Sequence, residues 1–171
     1  PRLGGVGGRC AARTVLHGGV PKKACMLYAV QVDGDDLTTV EGLADIAEAE
    51  GIAMETRGGT ALHPLQMGFK QNHGLQCGFC TPGFLMTSYA FLQAESDPDR
   101  EEIKDAISGN ICRCTGYNSI VDSIEWAAAE LDGRDGDAAV AAGDPDAGGG
   151  CCGDCGASDS APPAPTSDLD P

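Results

Sequence analysis

The sequence predicts an α+β chain in three stretches: a strand-rich start, a helical middle and an acidic tail with no regular structure. Three observations carry this. Residues 1–40 alternate apolar and polar side chains between turn signals. Residues 60–131 repeat apolar residues at helical spacing, with punctuation for four short helices. Residues 133–171 hold almost no large apolar side chain.

The elements follow in order. Thr14-Val15-Leu16 reads as a strand, closed by a turn at Gly18-Gly19 and Pro21. Met26 to Val32 is β-prone, Asp33 to Asp36 turns, and Leu37-Thr38-Thr39-Val40 is extended again. A helix starts near Glu41, with Leu43, Ile46 and Ala47 on one face, and Met54 to Gly59 reads as a loop. Leu62, Leu65 and Phe69 then recur at helical spacing. Thr81-Pro82 starts the next helix, Thr as cap and Pro at the first helical position. Asp97-Pro98 repeats the signal ahead of Ile103, Ala106 and Ile107, and Gly109-Asn110 stops that helix. Ile120, Val121, Ile124, Ala128 and Leu131 mark the last one. Four short helices with short connections suggest a small bundle. The tail has eight Asp and one Arg among Gly, Ala, Ser and Pro. It cannot bury enough surface to offset its ordering entropy and is expected to be disordered.

The chain has 171 residues and a formal net charge of −15. That excess of acid argues against nucleic acid or an anionic membrane surface as partner. No apolar run approaches the roughly 20 residues of a membrane span, and no signal peptide is visible, so a cytoplasmic place is expected. The whole chain has 17 Asp and only four Lys, and about half of the net charge lies outside the tail, as suits solubility in high salt; a halophilic source is the expectation.

Nine cysteines are far more than packing needs. The count is odd and clustered, which favours metal or redox chemistry over a disulfide framework. Cys77 and Cys80 form a C-x2-C just before one helix start; Cys112 and Cys114 form a C-x-C just before another. Two such loops can meet at one end of a bundle and bring four thiolates together. Free N–H groups and partial positive charge at helix N-termini stabilise thiolates. Gly78 and Gly116 allow close backbone approach, and Arg113 adds compensating charge. Spacing alone leaves tetrahedral zinc and an iron–sulfur cluster equally open. Cys10 and Cys25 stand in the strand-rich part, and Cys151, Cys152 and Cys155 in the tail read as an incidental thiol patch. His63 and His73 read as surface or capping residues, and Trp126 as packing or subunit contact. No Ser/His/Asp set or phosphate-cradling glycine loop stands out, so substrate chemistry is not expected on this chain.

The run Gly74-Leu75-Gln76-Cys77-Gly78-Phe79-Cys80-Thr81-Pro82-Gly83 resembles the iron–sulfur small subunit of the molybdenum hydroxylases, the family of xanthine dehydrogenases, aldehyde oxidoreductases and aerobic carbon monoxide dehydrogenases. Gly109-Asn110-Ile111-Cys112-Arg113-Cys114-Thr115-Gly116-Tyr117 resembles the second half of the same signature. Leu62-His63-Pro64-Leu65-Gln66 and Thr38-Thr39-Val40-Glu41-Gly42-Leu43 are similar to further family segments, and the likeness covers about residues 14–130.

The resemblance implies a partial ferredoxin-like β-grasp domain with its connector over residues 1–59. It implies a four-helix 2Fe–2S-binding bundle over 60–132, followed by the acidic tail over 133–171. By the same resemblance Cys77, Cys80, Cys112 and Cys114 ligate a 2Fe–2S cluster. Gln76 and Cys114 lie beside the molybdopterin of a large molybdenum-binding subunit, and electrons pass toward FAD on a medium subunit. A zinc-stapled module and a degenerate paralogue are the alternatives. The family's second cluster uses C-x4-C-x2-C and a fourth Cys about a dozen residues later. Anchored on Cys25, that frame meets Arg13, Cys10 and Gly5, so two of four thiolates are absent. Gly has no ligand atom and guanidinium stays protonated. A truncated or misread start, a degenerate copy, and ligands from the tail are three accounts of this departure, the first preferred. One cluster, with two irons, is the expectation.

Overall fold

The computed structural model describes residues 6–133. The expectations for the tail, including Cys151, Cys152 and Cys155, lie outside the described residues.

Strand β1 (Thr14–His17) is the centre of a three-stranded antiparallel sheet ordered β2-β1-β3, with β2 at Val20–Lys23 and β3 at Leu37–Thr38. Thr14 faces Lys23 and Leu16 faces Thr38. Pro21 belongs to β2 rather than to the turn, where an edge strand tolerates the missing N–H. The β-prone run Met26 to Val32 is not a strand: 3-10 turns form at Ala24–Met26 and Ala29–Gln31, and Met26, Tyr28 and Val30 are exposed. Without a neighbour to pair with or a layer to pack on, β propensity alone does not make a strand.

Helix α1 (Leu43–Glu50) buries Leu43 and Ala47. Residues 54–59 are not all loop: β4 (Met54–Glu55) pairs with β5 (Ala61–Leu62) as a two-stranded ribbon, with Met54 opposite Leu62. Leu62 is therefore a strand residue, and the next helix, α2 (Pro64–Gln71), begins after it. His63 caps α2 through a capping box. Its Nδ1 accepts from the Leu65 amide at 3.1 Å, and Gln66 Oε1 accepts from the His63 amide at 3.0 Å. Helix α3 (Thr81–Leu92) is apolar on all sides, and its first half is almost wholly buried: Gly83, Phe84, Leu85, Met86 and Ser88. Its N-cap is Cys80, not Thr81, so the expected threonine cap is corrected; Thr81 Oγ1 is buried without a partner among the described residues. Helix α4 (Arg100–Ile107) is capped by Asp99, which accepts from the Glu101 and Glu102 amides. Helix α5 (Asn118–Leu131) closes the described chain.

Helix α2 lies along α5, α3 and α4 pack on each other, and α4 packs on α5. Gly68 sets the α2–α5 distance: a Cβ there would meet Ser123 O at 2.4 Å and the Trp126 ring at 3.0 Å. Arg100 Nη1 bonds Asp122 Oδ1 at 2.7 Å and also Glu125, joining α4 to α5. Leu16 and Leu43 enter the same core cluster as Phe69, Phe84, Ile103 and Ile120, and Trp126 packs at its margin as a structural residue. The sheet lies against α3 through β1. The start of α3 is thus gripped by the sheet on one side and by helices on the other.

His63 gives a pH test of this packing. It is buried, its ring meets that of Tyr89 edge-on with centroids 5.4 Å apart, and its Nε2 has no partner among the described residues. Burial pulls its pKa down from 6.5 to about 4. The unfolded chain binds this proton more readily, so the stability tied to a neutral His63 is complete above pH 6.5 and is lost as pH falls toward 4. The linkage relation puts the loss at about 1 kcal/mol between about pH 7 and pH 5.5. His63→Asn keeps a capping oxygen and removes the titration. Urea midpoints of the two proteins should diverge less at the lower pH; an equal gap at both would remove His63 as the cause.

Candidate metal centre

Cys77 and Cys80 lie on the loop entering α3, and Cys112 and Cys114 on the loop entering α5. The two loops meet at one end of the helices. The thiols pair across the loops, not within them. Cys114 Sγ donates to Cys77 Sγ at 3.5 Å, and the Cys80 and Cys112 thiols interact closely enough for each to shift the other's pKa. Cys77 and Cys114 form the exposed pair; Cys112 is buried and Cys80 half-buried.

Amides and hydroxyls surround the sulfurs. The Cys114 amide donates to Cys112 Sγ at 3.5 Å, and Thr115 Oγ1 lies 3.3 Å from the same sulfur. The Phe79 amide donates to Cys77 and holds its thiol below the usual range, helped by the Cys114 thiol. Cys114 is raised because it is the donor to Cys77. For Cys112 burial pushes upward, but the Thr115 hydroxyl and nearby amides outweigh it and the net shift is down. Burial dominates at Cys80, pushing it up to about 12. One thiol of each pair is thus shifted down and its partner up.

The donor set fits a two-iron cluster. Such a cluster takes four thiolates, two on each iron, and the structure offers two pairs. Single-ion zinc needs all its ligands around one point, and among the described residues no three His, Cys, Asp or Glu side chains close on one ion position. Two buried polar atoms close in sequence to the cysteines, Thr81 Oγ1 and Asn110 Nδ2, have no partner among the described residues.

A family model described as 2Fe–2S binding domain matches residues 39–125, which include all four of these cysteines. The small subunit of nicotine 6-hydroxylase from Paenarthrobacter nicotinovorans is 42% identical over 135 residues, 79% of this chain and 73% of that one. The chain belongs to the iron–sulfur small-subunit family of the molybdenum hydroxylases. The crystal structure of quinoline 2-oxidoreductase from Pseudomonas putida 86 superposes with a TM-score of 0.64 at 38% identity, covering 78% of this small subunit and 76% of that chain. Xanthine dehydrogenase 2 of Arabidopsis thaliana is 42% identical over 125 residues, but the match spans only 9% of that protein.

The remaining candidates fall differently. Gln76 is exposed on the loop before Cys77. Cys10 and Cys25 are half-buried and lie outside the family match. Cys10 has a backbone role: its carbonyl accepts from the Ile111 amide at 3.1 Å and ties the chain start to the Cys112 loop. His63 is a buried cap, and His73 is exposed with a positive φ of 54°. The sequence gives Thr81 and Asn110 only helix-boundary roles, and Thr115 and Tyr117 no role beyond their place in the second cysteine run. The signal available was position: each lies within three residues of a paired cysteine. Among the described residues no helix is long and apolar enough to cross a membrane.

Proposed function

We propose that this small subunit carries one 2Fe–2S cluster on Cys77, Cys80, Cys112 and Cys114, within a helical unit over residues 60–132 that forms a four-helix bundle. The observation that supports it most is the crossed pairing of thiols from two loops, Cys77 with Cys114 and Cys80 with Cys112. When bound, the cluster supplies a one-electron carrier between a molybdenum–pterin site on a large partner subunit and FAD on a medium one. The chain's own residues hold it: four thiolates as ligands, the amides of Phe79 and Cys114 aimed at sulfur, and the Thr115 hydroxyl beside Cys112.

The partner's pterin would be met at the exposed rim, where Gln76 and the Cys77–Cys114 pair lie. Leu75, Phe79 and Ile111 are exposed large apolar side chains on the same two loops, as a docking face requires. The β2-β1-β3 sheet would be the retained part of a β-grasp domain over residues 1–59. Cys10 and Cys25 are only two thiols, so one cluster per chain is expected.

Anaerobic purification of the chain with its large subunit, followed by iron, sulfide and zinc analysis and EPR after dithionite, tests this. The expected result is about two irons and two sulfides per chain with a reduced 2Fe–2S signal. Four irons would overturn the single cluster, and a colourless chain holding zinc would overturn the redox role.

A further inference from the structure

Tyr117 stands in a conformation that its type avoids. Its φ is +72° and ψ −29°, in the left-handed region, at the N-cap of α5. A bulky side chain there costs of order 1 kcal/mol or more and persists only where its surroundings impose it. Four contacts impose it here. The Tyr117 amide donates to Thr115 Oγ1 at 3.2 Å. Its carbonyl accepts from the Ile120 and Val121 amides, both at 3.0 Å, which starts α5. Its ring meets Phe84 of α3 edge-on, with centroids 6.2 Å apart. Its hydroxyl oxygen accepts from the Cys112 amide at 2.9 Å.

These contacts join the start of α5, the α3 side chain four residues past Cys80, and the backbone of the buried cysteine. An ordinary helical start would need none of them. With negative φ the ring would leave the C-x-C loop, and the Cys112 amide would lose its acceptor. The neighbouring amide, of Cys114, donates to sulfur instead. Amides that point at sulfur favour the reduced, more negative cluster and raise its potential. Tyr117 holds one amide of this loop away from that role.

We propose that Tyr117 is a positioning residue for the cluster. Its hydroxyl orients Cys112 and keeps the Cys112 amide off the sulfurs, which holds the midpoint potential lower than the loop would otherwise set. This rests on the ligand set given above. Tyr117 does not touch substrate and is not a catalytic residue.

Tyr117→Phe keeps the ring and its contact with Phe84 but removes the acceptor. In the purified iron-loaded complex the expected result is full iron content, a midpoint potential displaced to more positive values and altered g-values. Hydrogen exchange at the peptide carrying Cys112 should become about fivefold faster, as loss of one hydrogen bond implies. Phe84→Leu loosens the ring contact and keeps the hydroxyl, and should leave the potential where it was. An unchanged potential with unchanged exchange in Tyr117→Phe overturns the proposal; so does an equal displacement in Phe84→Leu, which would trace the effect to packing. If Tyr117→Phe loses iron while its circular dichroism is retained and Phe84→Leu keeps iron, the positioning role stands. If both lose iron, it falls. Should the unsubstituted chain hold no iron–sulfur cluster, the ligand assignment fails, and Cys112 exchange in that chain still decides whether Tyr117 orients the loop.

Discussion

Cys112→Ser is expected to reduce the iron of this small subunit from about two atoms per chain to nearly none, with loss of the reduced EPR signal. The thiolate is the ligand form of cysteine, and an alcohol stays protonated at neutral pH. At Cys112 the loss is compounded. Its sulfur accepts from the Cys114 amide, lies beside the Thr115 hydroxyl and faces the Cys80 thiol, so three groups are oriented around it. It is also part of the hydrophobic core cluster, so the substitution places a hydroxyl in that cluster. Because metal binding is coupled to folding, the thermal midpoint should fall along with the iron. Cys77→Ser should remove the iron as well but disturb packing less, since Cys77 is exposed. Cys10→Ser and Cys25→Ser should retain the full iron content. A Cys112→Ser chain that keeps both irons would overturn the ligand set.

The chemistry of this site was more legible in the sequence than its geometry. C-x2-C and C-x-C before two helix starts named the four thiols, because soft ligands in tight pairs have few other uses. The pairing was hidden. Sequence neighbours suggest Cys77 with Cys80 and Cys112 with Cys114, whereas the structure pairs them across the loops. That crossing depends on how α3 and α5 are set against each other in the core they share, with α5 further held by α2 at Gly68 and by α4 through Arg100. None of these appears in a local pattern. Tyr117 was hidden for a related reason: its role follows from its φ, and only the fold imposes that.

Asp99 with Glu102 and His63 with Gln66 are reciprocal caps that need no tertiary partner. Asp97-Pro98 signals the approach to α4, but the cap is Asp99, two residues on, because its carboxylate accepts from the Glu101 and Glu102 amides. The short strands were read poorly. β4 and β5 have two residues each, too few for a period of two to show. Met26 to Val32 carries β-prone residues but turns twice, because nothing in the described fold pairs with it. Thr81 looked like a cap, yet the chain enters α3 one residue earlier, at Cys80.

Gly83→Ala should be the most destabilising single-methyl change in the described fold, costing about 3 kcal/mol or more. A Cβ at Gly83 would lie 1.9 Å from Ala11 O, 2.9 Å from Ala11 C and 3.0 Å from Ala12 Cα, all backbone atoms. Neither side can give way cheaply. Ala11 O already accepts from Thr14 Oγ1 at 2.9 Å, Ala11 has a positive φ of 48°, and the Cys10 carbonyl is bonded to Ile111. On the other side α3 is held by Phe84 and Met86, both fully buried. The added methyl must therefore lift residues 10–13 off the helix or tilt the first turn of α3. That turn begins beside Cys80, and Ile111 precedes Cys112, so either movement disturbs the Cys80–Cys112 pair. Iron retention should fall together with the urea midpoint, although no ligand has been changed. Gly58→Ala is the control: its Cβ would meet only the Thr56 hydroxyl, at 3.8 Å, and the cost should be a few tenths of a kcal/mol. If Gly83→Ala unfolds at the same urea concentration as the parent, residues 10–13 do not pack on α3 in the folded chain, and the cluster loops owe nothing to the sheet. A large loss of iron with the sheet released would show the reverse: the strand-rich part serves the metal centre by fixing the entry to α3.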